Sequence, residues 1–190
     1  MINKNRLQRE RRNAKMLDFD GLKNELDAGS DRNTVILCGA LLEAHIDELL
    51  RTTLIDDENE VEELIKPVGP LGSFGAKIRT LYCLGILSKS EFHNLKLIAK
   101  IRNKFAHELH GLSFETPEIT DLCARLGVSL NPPRNRESSS ENHFLLVVIS
   151  FQIGLPLRLE LITKANVRPE STWEDDMDEL SKRLNGGDDL

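Results

Sequence analysis

Residues 88–109 read SKSEFHNLKLIAKIRNKFAHEL, and their spacing decides the fold class. Ser88 and Glu91 stand where a capping box requires them, each able to satisfy an orphan amide at a helix start. Phe92, Leu95, Ile98, Ile101 or Arg102, Phe105 and Leu109 then recur in steps of three and four. That is the step of a single buried helical stripe. Near its end lies the densest polar cluster of the chain: Arg102, Asn103, Lys104 and His107.

Toward the N-terminus, Ser30 is a good N-cap and Asp31 complements the helix dipole in the first turn. Val35, Ile36, Cys38, Leu41, Leu42, His45, Ile46, Leu49 and Leu50 give the following helix a broad apolar face. A face that wide predicts a central position. Glu43, Asp47, Glu48 and Arg51 are expected on its opposite, solvated side. Residues 52–60 read as an acidic connection and 61–65 as a helical turn before Pro67. Residues 68–75, VGPLGSFG, hold three glycines and a proline and cannot be regular structure. One reading of this loop is a close backbone approach to a ligand or partner; the other is a tight turn into the next helix. Ser73 would cap that helix, expected over 76–84, Lys77 would sit in its first turns, and Gly85 would stop it. The loop lacks the lysine-serine or lysine-threonine step of a phosphate loop and follows no strand.

Beyond the opening stretch, Thr116, Pro117 and Glu118 are the N-cap, first helical position and first-turn acid of another helix. Its stripe is Ile119, Leu122, Cys123 and Leu126, and Gly127 ends it. Residues 130–140 are a proline- and serine-rich connector. Residues 141–155 form a very apolar helix that Pro156 is expected to kink or end, with 157–165 continuing it. No strict two-residue alternation or internal repeat occurs. The fold class is all-α: a single-domain helical bundle, spanning residues 17–165, of about five to seven helices.

The chain has 190 residues, 39% hydrophobic and 29% charged, in the range of a globular domain. The apolar stretch 144–159 is broken by Gly154 and Pro156, so no membrane span is expected, and the N-terminus lacks the apolar core of a signal peptide. Cys38, Cys83 and Cys123 are scattered and odd in number, which argues against disulfides and against a thiolate metal site. Each is expected to fill a small apolar gap in the reducing cytoplasm. The net charge of −6 divides unevenly: residues 1–16 carry six basic side chains against Glu10, so this arm stands at +5 and the rest at −11. A body of that sign repels a phosphate backbone. The arm, with Arg6, Arg9, Arg11 and Arg12, is the candidate for nucleic-acid contact. No aromatic interleaves with its charges, so any direct DNA binding is expected to be weak. Residues 166–190 form an acidic tail, expected to be mobile, in which Trp173, Met177 and Leu180 are spaced to dock as a short helix.

Asn103 and His107 are four apart and share a helical face, with Lys100 and Lys104 beside them. Arginine holds oxyanions by paired hydrogen bonds and histidine exchanges protons near neutrality, so Arg102 and His107 could cleave RNA without a metal, with Asn103 orienting. The same residues could equally be structural. Arg102 could pair with Asp31 or Glu43, and His107 could complement the helix C-terminus. His107 and His110 lack a third ligand and zinc-site spacing, and the acids 56–60 lack calcium-loop spacing. No metal and no cofactor is expected.

The segment Ile101-Arg102-Asn103-Lys104-Phe105-Ala106-His107 resembles the Arg-Asn-(three residues)-His signature of HEPN-type helical domains. Those resemble metal-independent ribonucleases that assemble their site across a homodimer. Together with Ser30-Asp31-Arg32 and with Gly69-Pro70-Leu71-Gly72-Ser73-Phe74, Ala76 and Lys77, it resembles the mannitol operon repressor family from about residue 20 to 126 and more loosely to 165. The resemblance implies an all-helical fold and a role in repressing a sugar-alcohol uptake operon, in a family without an evident helix-turn-helix; a non-enzymatic regulator acting through a protein partner, and a homodimer through its apolar helices, are expected. Asp31, Arg32, Gly69, Pro70, Gly72, Ser73, Lys77, Arg102, Asn103 and His107 are its candidate binding residues. The nuclease reading would take Arg102, Asn103 and His107 as catalytic.

Overall fold

A computed structural model describes residues 29–108, 111–127, 139–159 and 161–162. The basic arm, most of the proline-rich connector and the acidic tail lie outside them. Six helices follow in order: α1 Asp31–Thr53, α2 Glu58–Ile65, α3 Phe74–Cys83, α4 Lys89–His107, α5 Pro117–Ala124 and α6 Ser140–Leu159. No strand occurs among the described residues.

Helix α1 is the hub. It packs on α2, α3, α4 and α6, while α5 closes against α4 and α6. Its inner residues Val35, Leu42, Ile46, Leu49 and Leu50 are fully buried. The opening stretch supplies Leu95, Ile98, Ile101 and Phe105 to the same core, also fully buried. Each such side chain contributes about 1.5–3 kcal/mol of burial. Ile101 therefore holds the stripe position that Ile101 and Arg102 both suit by spacing. Phe105, Phe114 and Phe144 meet as tilted rings at 5.9 and 5.5 Å between centroids, joining α4 to α6.

The serine caps act as written, whereas Thr116 stands at the N-cap of α5 without a side-chain cap bond. Ser88 Oγ accepts from Glu91 N at 3.3 Å, and Ser88 N donates to Glu91 Oε2 at 2.7 Å, completing the box. Asp57 caps α2 by accepting from Asn59 N and Glu60 N at 3.2 Å, so the acidic run at 56–60 is a helix start. Arg32 donates from both terminal nitrogens to the carbonyls of Phe105 and Glu108, at the unsatisfied end of α4. Asp31 Oδ2 accepts from Phe114 N at 2.7 Å. The start of α1 thus fastens the end of α4 and the loop that follows it.

The glycine loop meets its own backbone. A Cβ on Gly69 would lie 2.4 Å from Glu63 O, and one on Gly72 would lie 2.3 Å from Pro67 O. Leu71 N donates to Leu64 O at 2.8 Å, folding the loop back over the end of α2. The close approach that demands glycine is therefore to the chain itself. Ser73 caps α3 as expected, accepting from Ala76 N at 3.2 Å, though α3 begins at Phe74, two residues before the expected start.

Two expectations are corrected. Helix α6 continues past Gly154 and Pro156 to Leu159, the continuation the sequence allowed, but with 20 residues it is long and apolar enough to cross a membrane by length and composition. Its inner residues Phe144, Val147, Val148, Phe151 and Leu155 are buried against α1 and α5, which makes it a core helix of the bundle. Cys83 is exposed, whereas Cys38 and Cys123 fill the core, where burial pushes their thiols up to about 12 and about 11.

The end of α6 is clamped. Arg158 Nη1 donates to Ile86 O at 2.9 Å and to Glu91 Oε2 at 3.0 Å, and Nη2 donates to Glu91 Oε1 at 2.7 Å. Burial alone would raise the Glu91 carboxyl, but the bonds from Arg158 and Ser88 outweigh it and hold it below the usual range.

Gly72→Ala should cost about 1–3 kcal/mol, because the new methyl meets a fixed carbonyl rather than a flexible side chain. Urea denaturation checks this, and an unchanged midpoint would mean the loop is free to move.

Candidate functional site

Helix α4 has two outward-leaning sides with different fates. On the side toward α1, Arg102 lies across Gly39, whose Cβ would come within 2.9 Å of Arg102 Cγ. Its Nη2 donates to Glu43 Oε2 at 3.2 Å and its Nη1 to Asn103 Oδ1 at 3.1 Å. Glu43 Oε1 in turn accepts from Lys77 Nζ at 3.1 Å. Lys77, only 4% exposed, also lies 2.8 Å from Asp47 Oδ1, an ion pair off the angle of a good hydrogen bond. Two cations and two carboxylates thus link α1, α3 and α4 with no net charge. Burial works to lower the Lys77 ammonium, but the bonds and charges of Asp47 and Glu43 outweigh it and hold it above the ordinary lysine range. Glu43 and Asp47, expected on a solvated face, are therefore half-buried partners of a buried lysine.

On the other side, α4 and the start of α3 enclose an open groove of about 780 Å³. Its walls include Ile78, Phe92 and Ala99, and its rim carries Arg79, Lys96, Lys100, Lys104, Asn103 and His107. Phe92 is held flat against Tyr82 at 4.4 Å between centroids, and Lys96 Nζ sits 5.3 Å from the Phe92 ring centre. Lys104 bonds Glu118 at 2.7 Å and lies 3.6 Å from Glu108, which keeps its ammonium above the ordinary range. Among the described residues no carboxylate pairs with Arg79, Lys96 or Lys100.

The candidate residues therefore separate. Asn103, His107 and Ser73 line the groove, with Ser73 also serving as the cap of α3. Lys77 and Arg102 are committed to the ion network behind it. Asp31 and Arg32 fasten helix ends, and Gly69 and Gly72 pack on backbone beside the exposed Pro70. Arg6, Arg9, Arg11 and Arg12 lie outside the described residues. Within the chain, Arg102 and His107 do not face the same space. Arg79 and Lys96 were not among the candidates. The recurrence of Lys96, Lys100 and Lys104 every four residues was the available signal for a basic helical edge.

Among the described residues the chain is thus an all-α bundle with Arg102 internally paired and a basic, part-apolar groove outside. Residues 21–154 match the mannitol repressor family, and the chain belongs to that family. It is 23% identical over 155 residues to the mannitol operon repressor of Escherichia coli K12, covering 75% of this chain and 80% of that protein, and equally to the repressor of an O6:H1 strain. Its fold is similar to that in the X-ray structure of the MtlR–HPr complex from Escherichia coli. The TM-score is 0.51 at 22% identity, over 73% of this chain and 93% of that one.

Lys77→Met strands the half-buried Asp47 and leaves Glu43 with Arg102 alone, and should cost about 2–4 kcal/mol, less than for fully buried charge because both carboxylates keep some solvent. A lysine whose value is raised in the folded state stabilises fully below its ordinary range and loses that contribution as pH rises through the raised value. The stability gap between wild type and Lys77→Met should narrow above about pH 10.5, read from denaturation midpoints across pH.

Proposed function

We propose that this protein is a repressor-class regulator of a mannitol, or related sugar-alcohol, uptake operon, acting in the cytoplasm through a protein partner and not as an enzyme. The partner is HPr, the protein found with its Escherichia coli relative in a solved complex. The observation that carries the partner reading is the α3/α4 groove. It sets unpaired cations, Asn103 and His107 around an apolar floor, on a chain whose residues after the arm carry −11. Such a surface offers both desolvation and charge complementarity to a folded partner. The nuclease reading loses support because both terminal nitrogens of Arg102 are engaged, by Glu43 and Asn103.

Titration calorimetry of the full chain with HPr tests this reading. Binding is expected, and Lys100→Glu combined with His107→Glu should weaken it about tenfold or more. No binding by the wild type would sink the choice of partner; binding unaffected by the double variant would move the face away from the groove.

We also infer a homodimer through α6. Leu146, Ile149, Ile153 and Leu157 stand 41%, 42%, 48% and 60% exposed and fall on one side of the helix. A continuous stripe of that kind favours a second apolar surface over water. Light scattering should report a dimer for the wild type and a monomer for Ile153→Asp; equal masses would refute this interface.

A further inference from the structure

The groove has a second candidate occupant within the chain itself. Residues 173–180 read WEDDMDEL: five acids, no base, and Trp173, Met177 and Leu180 in steps of four and three. On a helix those three apolar residues fall on one side and the acids on the remainder. The groove has the complementary chemistry, with Ile78, Phe92 and Ala99 in its walls and Arg79, Lys96 and Lys100 at its rim.

The path of the chain favours the same pairing. The clamp from Arg158 to Glu91 holds the last turn of α6 beside the start of α4, one residue from Phe92. Ten residues lie between Ile162, which packs against the core, and Trp173. They span up to about 38 Å when extended. The groove wall from Phe92 to His107 measures about 22 Å along the helix. A tether of this length keeps the segment at an effective concentration of about millimolar at the groove, so even a weak contact is populated.

We propose that the acidic segment 173–180 docks in cis on the α3/α4 groove, with its apolar side on the part-exposed Phe92 and Ala99 and its carboxylates on Arg79, Lys96 and Lys100. A protein that uses this groove must then displace the segment first. That consequence rests on the partner reading above, whereas the docking itself does not.

Trp173 is the only tryptophan of the chain, so its fluorescence reports the segment directly. In the full-length protein without any partner, emission should be blue-shifted from that of indole in water, and equally so at all protein concentrations. The Lys96→Glu/Lys100→Glu variant alters two exposed side chains and should move the emission to the red while leaving the helical circular dichroism unchanged. Adding Asp175→Lys and Asp176→Lys to that variant should restore the blue shift. Wild-type emission equal to that of free indole would refute docking. A blue shift untouched by the lysine reversals would place Trp173 elsewhere, and one that grows with concentration would mean docking on another copy; either overturns the proposal.

Discussion

A single buried ammonium organises the side of the bundle that matters for function. Lys77 reaches from α3 into α1 and ends between Glu43 and Asp47. Glu43 takes Arg102 of α4 with its second oxygen, so one carboxylate holds two neighbouring helices at once. Such a network adds little net stability over an apolar replacement, because desolvation offsets most of the attraction. Its effect is on register. A rotation of α3 about its own axis would leave a charge buried without a partner, which costs far more than the pair contributes.

That register decides how the polar end of α4 is divided. Arg102 turns toward α1, where only a glycine at position 39 leaves room for its aliphatic stem. Asn103 and His107, one residue and five residues further along, then face away into the groove beside α3. A motif that reads as one cluster along the chain becomes two sites in space. One holds the bundle together, and the other is an accessible surface. This division favours recognition over catalysis, since a transition-state anion would have to compete with Glu43 for the guanidinium.

Much of the fold was legible because its signals are local. The Ser88–Glu91 box, the Ser30 and Ser73 caps and the left-handed glycine at 85 each act within one helical turn of their own position. The core stripe of α4 followed from its period alone. The acids of α1 were misjudged for the opposite reason. Glu43 and Asp47 sit at solvent-face positions of their own helix, and only the approach of α3 with Lys77 covers them. Gly69 and Gly72 left two readings open, because a glycine signals a close approach without naming what approaches. Pro156 left a kink or an end open, and α6 continues past it to Leu159, since packing along its length compensates for one missing amide bond.

The sequence by itself determined the class of fold, the serine caps of its main helices and much of the core stripe, since those depend on period and on capping chemistry within a few residues. The tertiary structure alone decided which polar residues were structural and which were available. Arg32 became a cap for a helix more than seventy residues away, and Lys77 became a buried counter-ion. The physical reason is that a charge is satisfied by whatever lies within a few ångströms of it, and in a bundle that neighbour belongs to another helix.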